Sequence, residues 1–112
     1  MRQARQFGME DAPGEQDVLD TLGWILERPP ALRSVWQRLY LRSRGRCEYC
    51  GRRMWLYGGG PNAVTRDHAT PSSGGGKGKP HNLRAACFRC NQRKGVMSEA
   101  AFRALLAAEI AV

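Results

Sequence analysis

No stretch of this chain is apolar for anything near the 18 residues a membrane helix needs, and no basic–apolar–small pattern opens it. A soluble, non-exported and hence cytoplasmic protein is the expectation. At 12.5 kDa it also lacks the bulk for a second full domain. So small a chain buries a modest fraction of its surface, and a staple beyond the apolar core is expected. Acidic residues are scarce past residue 30, where only Glu48, Asp67, Glu99 and Glu109 stand against fifteen Lys and Arg, a balance of +11. Residues 1–30 run the other way, with Arg2, Arg5 and Arg28 against six acidic residues, or −3. A basic excess confined to one segment is the electrostatic footprint of a polyanion-binding surface; a merely soluble basic surface is the plainer alternative.

Four cysteines stand as two pairs, Cys47-Glu48-Tyr49-Cys50 and Cys87-Phe88-Arg89-Cys90. Two residues between thiols let both sulfurs meet one tetrahedral Zn²⁺ from a tight turn, and two such knuckles close a structural site with no open position. Disulfides need an oxidising compartment that nothing here suggests, and a thioredoxin-like redox motif accounts for one pair, not two. Zinc would then supply folding free energy that a thin core cannot.

Residues 1–14 read as a flexible N-terminal arm and 15–43 as a helical extension, with the functional core and a last helix in 44–112. Val18, Leu22, Ile25 and Leu26 fall at helical spacing over Glu15–Glu27, before Pro29-Pro30. A second helix is expected from about Ala31 to Ser43, with Leu32, Val35, Trp36 and Leu39 on one stripe and Gly45 past its end. Trp24 and Trp36 read as core. Ala63–His68 and Asn82–Ala86 read as short strands, and the Gly-, Ser- and Lys-rich link Pro71–Pro80 as irregular. Asn91–Lys94 starts a short helix. Ser98 caps a final one that turns Phe102, Leu105, Leu106 and Ile110 inward, with Met97 and Phe102 spaced as a hydrophobic staple.

Between the knuckles lie Asp67-His68 and His81-Asn82-Leu83, and Asn91 follows Cys90 directly. With Thr65-Arg66, Pro71, Gly74-Gly75 and Lys94-Gly95, that order resembles the HNH endonuclease family from about Arg44 to Met97. The resemblance implies a small zinc-stabilised α+β domain: a ββα-metal (HNH/His-Me finger) core with flanking N- and C-terminal helices. It implies a metal-dependent endonuclease that hydrolyses phosphodiester bonds of DNA and leaves 5′-phosphate and 3′-hydroxyl ends. Double-stranded DNA is the favoured substrate and RNA stays open.

The residue chemistry suits those roles. His68 would take a proton from the attacking water, since an imidazole keeps a useful neutral fraction near neutral pH. Asp67 and Asn91 offer hard oxygens of the kind Mg²⁺ or Mn²⁺ prefers. Neighbours in a strand point to opposite faces, so Asp67 and His68 reach one site only if the strand ends or bends there. Asn82 resembles the family's middle asparagine, which ties the inter-strand loop rather than binding metal. The family also shows asparagine where Asn91 stands. His81 reads chiefly as a solvated loop residue, with metal ligation as the alternative. Arg52, Arg53, Lys77, Lys79, Arg84, Arg89, Arg93 and Lys94 are the candidate phosphate contacts. Trp55 and Tyr57 are expected to pack beside a knuckle rather than stack on a base.

Each residue has a bland reading: Asp67 in a surface ion pair with Arg66 or Arg84, Asn91 as a helix cap. Joint occurrence in nuclease order favours the enzyme over a non-catalytic zinc module that binds nucleic acid or a protein partner. Monomer and homodimer, and a phage or host protein partner, stay open.

Overall fold

The computed structural model of the protein describes residues 11–71 and 79–111. Lys77 and most of the glycine-rich link lie outside them. The chain runs through helix α1 (Glu15–Glu27), a 3₁₀ turn (Pro30–Leu32), α2 (Val35–Ser43), strand β1 (Val64–His68), a second 3₁₀ turn (Pro80–Asn82), β2 (Leu83–Cys87), α3 (Phe88–Lys94) and α4 (Glu99–Ala111). Among the described residues this is a small α+β fold of four helices and one two-stranded sheet. Among the described residues, no helix is long and apolar enough to cross a membrane.

Helix α1 spans the expected residues and buries Val18 and Ile25, while Leu26 faces out. Pro29-Pro30 stop it, and the Arg33 guanidinium donates to the carbonyls of Ile25, Leu26 and Arg28 at 3.2 Å each, serving the groups a helix end leaves unpaired. Helix α2 begins at Val35 rather than Ala31. Ser34 and Gln37 form a reciprocal capping box, and the extended backbone of Ser34 bars the helix from reaching back to Ala31. Leu32 is consequently left on the 3₁₀ turn and exposed. Past α2 the chain reverses through two left-handed residues, Arg44 (φ 58°) and Gly45 (φ 76°). The turn delivers Cys47 to the first knuckle.

β1 and β2 pair antiparallel, with Val64 opposite Cys87 and His68 opposite Leu83. The second knuckle therefore starts where β2 ends, and β1 ends at the far end of the same ladder. Ile25, Leu39, Tyr40, Met54, Leu56, Val64, Leu83, Ala85, Ala86 and Phe102 make the core with Cys47, Cys87 and Cys90. Four further apolar side chains expected inside stay out of it. Trp24 is 43% and Trp36 37% exposed, one ring carrying the Arg28 guanidinium and the other that of Arg66. Leu105 and Ile110 are exposed because α4 docks chiefly through Phe102, with Met97 and Leu106 half-buried beside it. Ser98 does cap α4, accepting from the Ala101 N–H at 3.1 Å.

Candidate metal centres

The first knuckle is a tight hairpin: the Cys47 N–H donates to the Arg52 carbonyl at 2.8 Å and the Gly51 N–H to the Cys47 carbonyl at 2.9 Å. Its sulfur is in turn served by the N–H groups of Tyr49 and Cys50, at 3.4 and 3.5 Å. The second knuckle repeats the device at the start of α3, where the Cys90 N–H reaches the Cys87 sulfur at 3.4 Å. Together they bring four Sγ atoms within 4.8 Å of one another, Cys50 and Cys87 at 3.9 Å. Zn–S bonds of about 2.3 Å at tetrahedral angles place sulfurs about 3.8 Å apart, so the cage fits Zn²⁺.

Electrostatics agrees with the geometry. Hydrogen bonding from Cys50 and the other thiols holds Cys47 far below the ordinary thiol range, while contact with Cys47 pushes Cys90 well above it. Four sulfurs this close cannot all ionise without a cation among them, and a metal removes the conflict.

Across the sheet, β1 ends at His68 and the chain bends at Ala69 and Thr70. Its side chains alternate: Arg66 reaches Trp36 of α2, and Asp67 turns to α3. Asp67 is 4% exposed and sits in a closed set of partners. Its Oδ2 accepts from the Tyr49 hydroxyl at 2.5 Å and lies 3.1 Å from the Lys94 ammonium, which is 3.4 Å from Oδ1. Lys94 also donates to the His68 carbonyl at 2.8 Å. Burial and the adjacent Asp67 carboxylate push the Tyr49 phenol well above its usual range, so it stays a proton donor.

Asn91, one turn before Lys94 on α3, donates through Nδ2 to the Thr65 hydroxyl at 2.9 Å and the Arg66 carbonyl at 3.4 Å. The amide nitrogen thus faces the strand and the carbonyl oxygen turns from it. Asp67 and Asn91 both face the β1–α3 seam, and a carboxylate with an amide carbonyl is the hard-oxygen donor type that a divalent ion such as Mg²⁺ takes, although Lys94 and Tyr49 already engage the Asp67 carboxylate. The imidazole of His68 is half-buried at the strand end.

Asn82 closes the loop between the strands. Its side chain accepts from the Thr70 N–H at 2.9 Å and donates to the Thr70 carbonyl at 3.0 Å, while its own carbonyl accepts from Ala69 N–H at 2.8 Å. His81 is exposed on the 3₁₀ turn. Among the described residues, the four cysteines are the one group of three or more His, Cys, Asp or Glu placed to share a metal, and His81 joins no second group with Asp67 and His68.

The basic residues divide. Arg52 and Arg53 line a surface cavity of about 350 Å³ with Arg46, Ala12, Cys50 and Gly51. Lys79 is exposed. Arg84 is instead held by Glu99 through Nε at 2.9 Å, and Arg93 pairs with Glu109. Lys94 is a correction: at 2% exposed it is buried on Asp67 and presents no charge to a phosphate. Trp55 donates its indole N–H to the Asp11 carbonyl at 2.7 Å, and Tyr57 is 62% exposed, its ring against Trp24 rather than a knuckle.

Tyr49 is the site residue that pattern reading passed over. It sits inside the first Cys-x-x-Cys, where two spacer residues read as turn filler. The available signal for Lys94 was its spacing of three from Asn91, which puts both on one face of a helix.

Comparison with known families fits this geometry. The family model described as HNH endonuclease matches residues 47–96, from the first cysteine to just past Gly95. No curated protein matches the chain.

Proposed function

From the HNH endonuclease match over residues 47–96, which supports a nuclease at family level, we propose that the protein is a metal-dependent endonuclease hydrolysing phosphodiester bonds of DNA. The observation that carries it is the β1–α3 seam inside the matched segment, with Asp67-His68 at the end of β1 and Asn91 on α3 against Thr65 and Arg66.

In this reading His68 accepts a proton from the attacking water and raises its nucleophilicity. Asp67 and Asn91 hold a Mg²⁺ or Mn²⁺ ion, which when bound supplies stabilisation of the negative charge gathering at phosphorus and the leaving 3′ oxygen. The products carry 5′-phosphate and 3′-hydroxyl ends. Asn82 fixes the loop after the strand and with it the orientation of His68. Arg52 and Lys79, both exposed, and the half-buried Arg53 offer positive charge to the phosphates, positioning the substrate without reading its sequence. The four thiolates hold a structural Zn²⁺ that closes the fold.

A zinc module that binds nucleic acid without cutting draws on one observation: Asp67 is already buried and neutralised by Lys94. Incubating the zinc-loaded protein with supercoiled plasmid and Mg²⁺ or Mn²⁺ separates the two. We expect nicking by the wild type and, for His68→Ala, retained DNA binding with cutting reduced at least a hundredfold, within the range general-base catalysis contributes. Binding by both proteins with no cutting by either would establish the module instead.

A further inference from the structure

We propose that Tyr49 is a positioning residue that orients the Asp67 carboxylate for the divalent ion from its seat on the first zinc knuckle, coupling the structural metal to the cutting centre. This rests on the reading of Asp67 as a ligand of that ion.

Both residues between Cys47 and Cys50 are committed to the sheet. The Glu48 N–H donates to the Ala85 carbonyl at 2.8 Å and its carboxylate accepts from the Ala85 N–H at 2.7 Å, so the knuckle is clipped onto β2. Tyr49 crosses to β1 and donates to Asp67 Oδ2 at 2.5 Å. Its ring has little room to move: Phe102 meets it edge-on at 5.2 Å between centroids, and the Arg103 guanidinium covers it at 4.8 Å. The Tyr49 N–H is meanwhile bound to the Cys47 sulfur. A rigid path of one residue therefore joins a zinc ligand to the carboxylate.

Two donors act on that carboxylate, and they differ in kind. Lys94 brings a full charge that a divalent cation must compete against. Tyr49 brings a neutral O–H, which fixes the angle of the group yet leaves its charge for a cation. It also occupies Oδ2, while Oδ1 keeps only the longer contact to Lys94, at 3.4 Å. Outer partners of this type commonly change metal affinity ten- to a hundredfold when removed.

The test uses the zinc-loaded full chain and Mn²⁺ alone, titrated by electron paramagnetic resonance. Tyr49→Phe keeps the ring and removes the hydroxyl. We expect roughly tenfold weaker Mn²⁺ binding with the zinc content unchanged. Asp67→Asn should weaken binding further, and adding Tyr49→Phe to it should have no additional effect, because the hydroxyl acts through that carboxylate. If Asp67→Asn binds Mn²⁺ as the wild type does, the ligand reading fails and this proposal with it. If Asp67→Asn weakens binding but Tyr49→Phe does not, the ligand reading survives and the positioning role is overturned. Should Tyr49→Phe lose its zinc, the native sequence decides. Mg²⁺ titration must then shift the Tyr49 ring resonances in the wild type and not in Asp67→Asn; an unmoved ring overturns the proposal.

Discussion

Gly45 is buried at φ 76°, and a Cβ built there would lie 2.5 Å from Val18 Cγ1 and 3.1 Å from the Tyr40 ring. Backbone and packing both exclude a side chain, so Gly45→Ala should cost about 3 kcal/mol or more, combining left-handed strain with overpacking. Urea unfolding of zinc-loaded protein reads this directly; a loss below about 1 kcal/mol would mean the turn relaxes freely. Gly45 was legible as a helix stop but not as a contact. The same limit separates charge from place at Lys94. A lysine among arginines reads as surface, and only the packing of α3 on β1 shows it buried against Asp67. Asp67 and Asn91 stood out because residue type and order carry chemistry directly. Tyr49 did not, because its partner lies 18 residues away in sequence and nothing local marks the meeting.

Helices and strands were legible where their period was strong, as in α1, and where a cap could be seen, as at Ser98. The start of α2 was missed because apolar spacing carried the reading back to Ala31, while the Ser34–Gln37 box sets the real boundary. Trp24 and Trp36 were assigned inside by residue type, yet a chain this short has too little interior for every large ring. Helix α4 is tethered by a charge that can be titrated. Glu99 accepts from Arg84 at 2.9 and 3.1 Å and from Arg103 at 2.8 Å, and the Arg84 hydrogen bonds come first among the causes that hold its carboxyl below the ordinary range. A depressed folded-state value means that the stability it lends is complete above the unfolded value, about 4.3, and is lost as pH falls through the folded one. Glu99→Gln should therefore melt below wild type at neutral pH, with the gap closing in acid below about pH 4. Comparing two proteins cancels losses common to both, such as thiolate protonation. A gap independent of pH would show that the tether contributes through packing alone.

For the whole molecule, two knuckles join segments forty residues apart in sequence and place them at one end of a two-stranded sheet. A pair of strands is not stable alone in water. Removing zinc with a chelator under reducing conditions should thus abolish cooperative unfolding, and adding one equivalent of Zn²⁺ should restore it. A sharp melting transition that survives in metal-free protein would show that the apolar core suffices. The four-cysteine cluster could be read from spacing, since ligand geometry constrains sequence tightly, and the α+β class from the family resemblance; the docking of α1 and α4 could not, because many apolar faces would serve equally well. The clasp of Asn82 on Thr70 has a consequence for how such a chain can change over generations. It seals the base of the inter-strand connection, so residues gained or lost beyond it leave the ladder unaltered, and each doubling of a flexible loop costs only about 0.6 kcal/mol. A single residue inserted within β1 would instead turn every following side chain to the opposite face. Length is free to drift between the strands and frozen inside them.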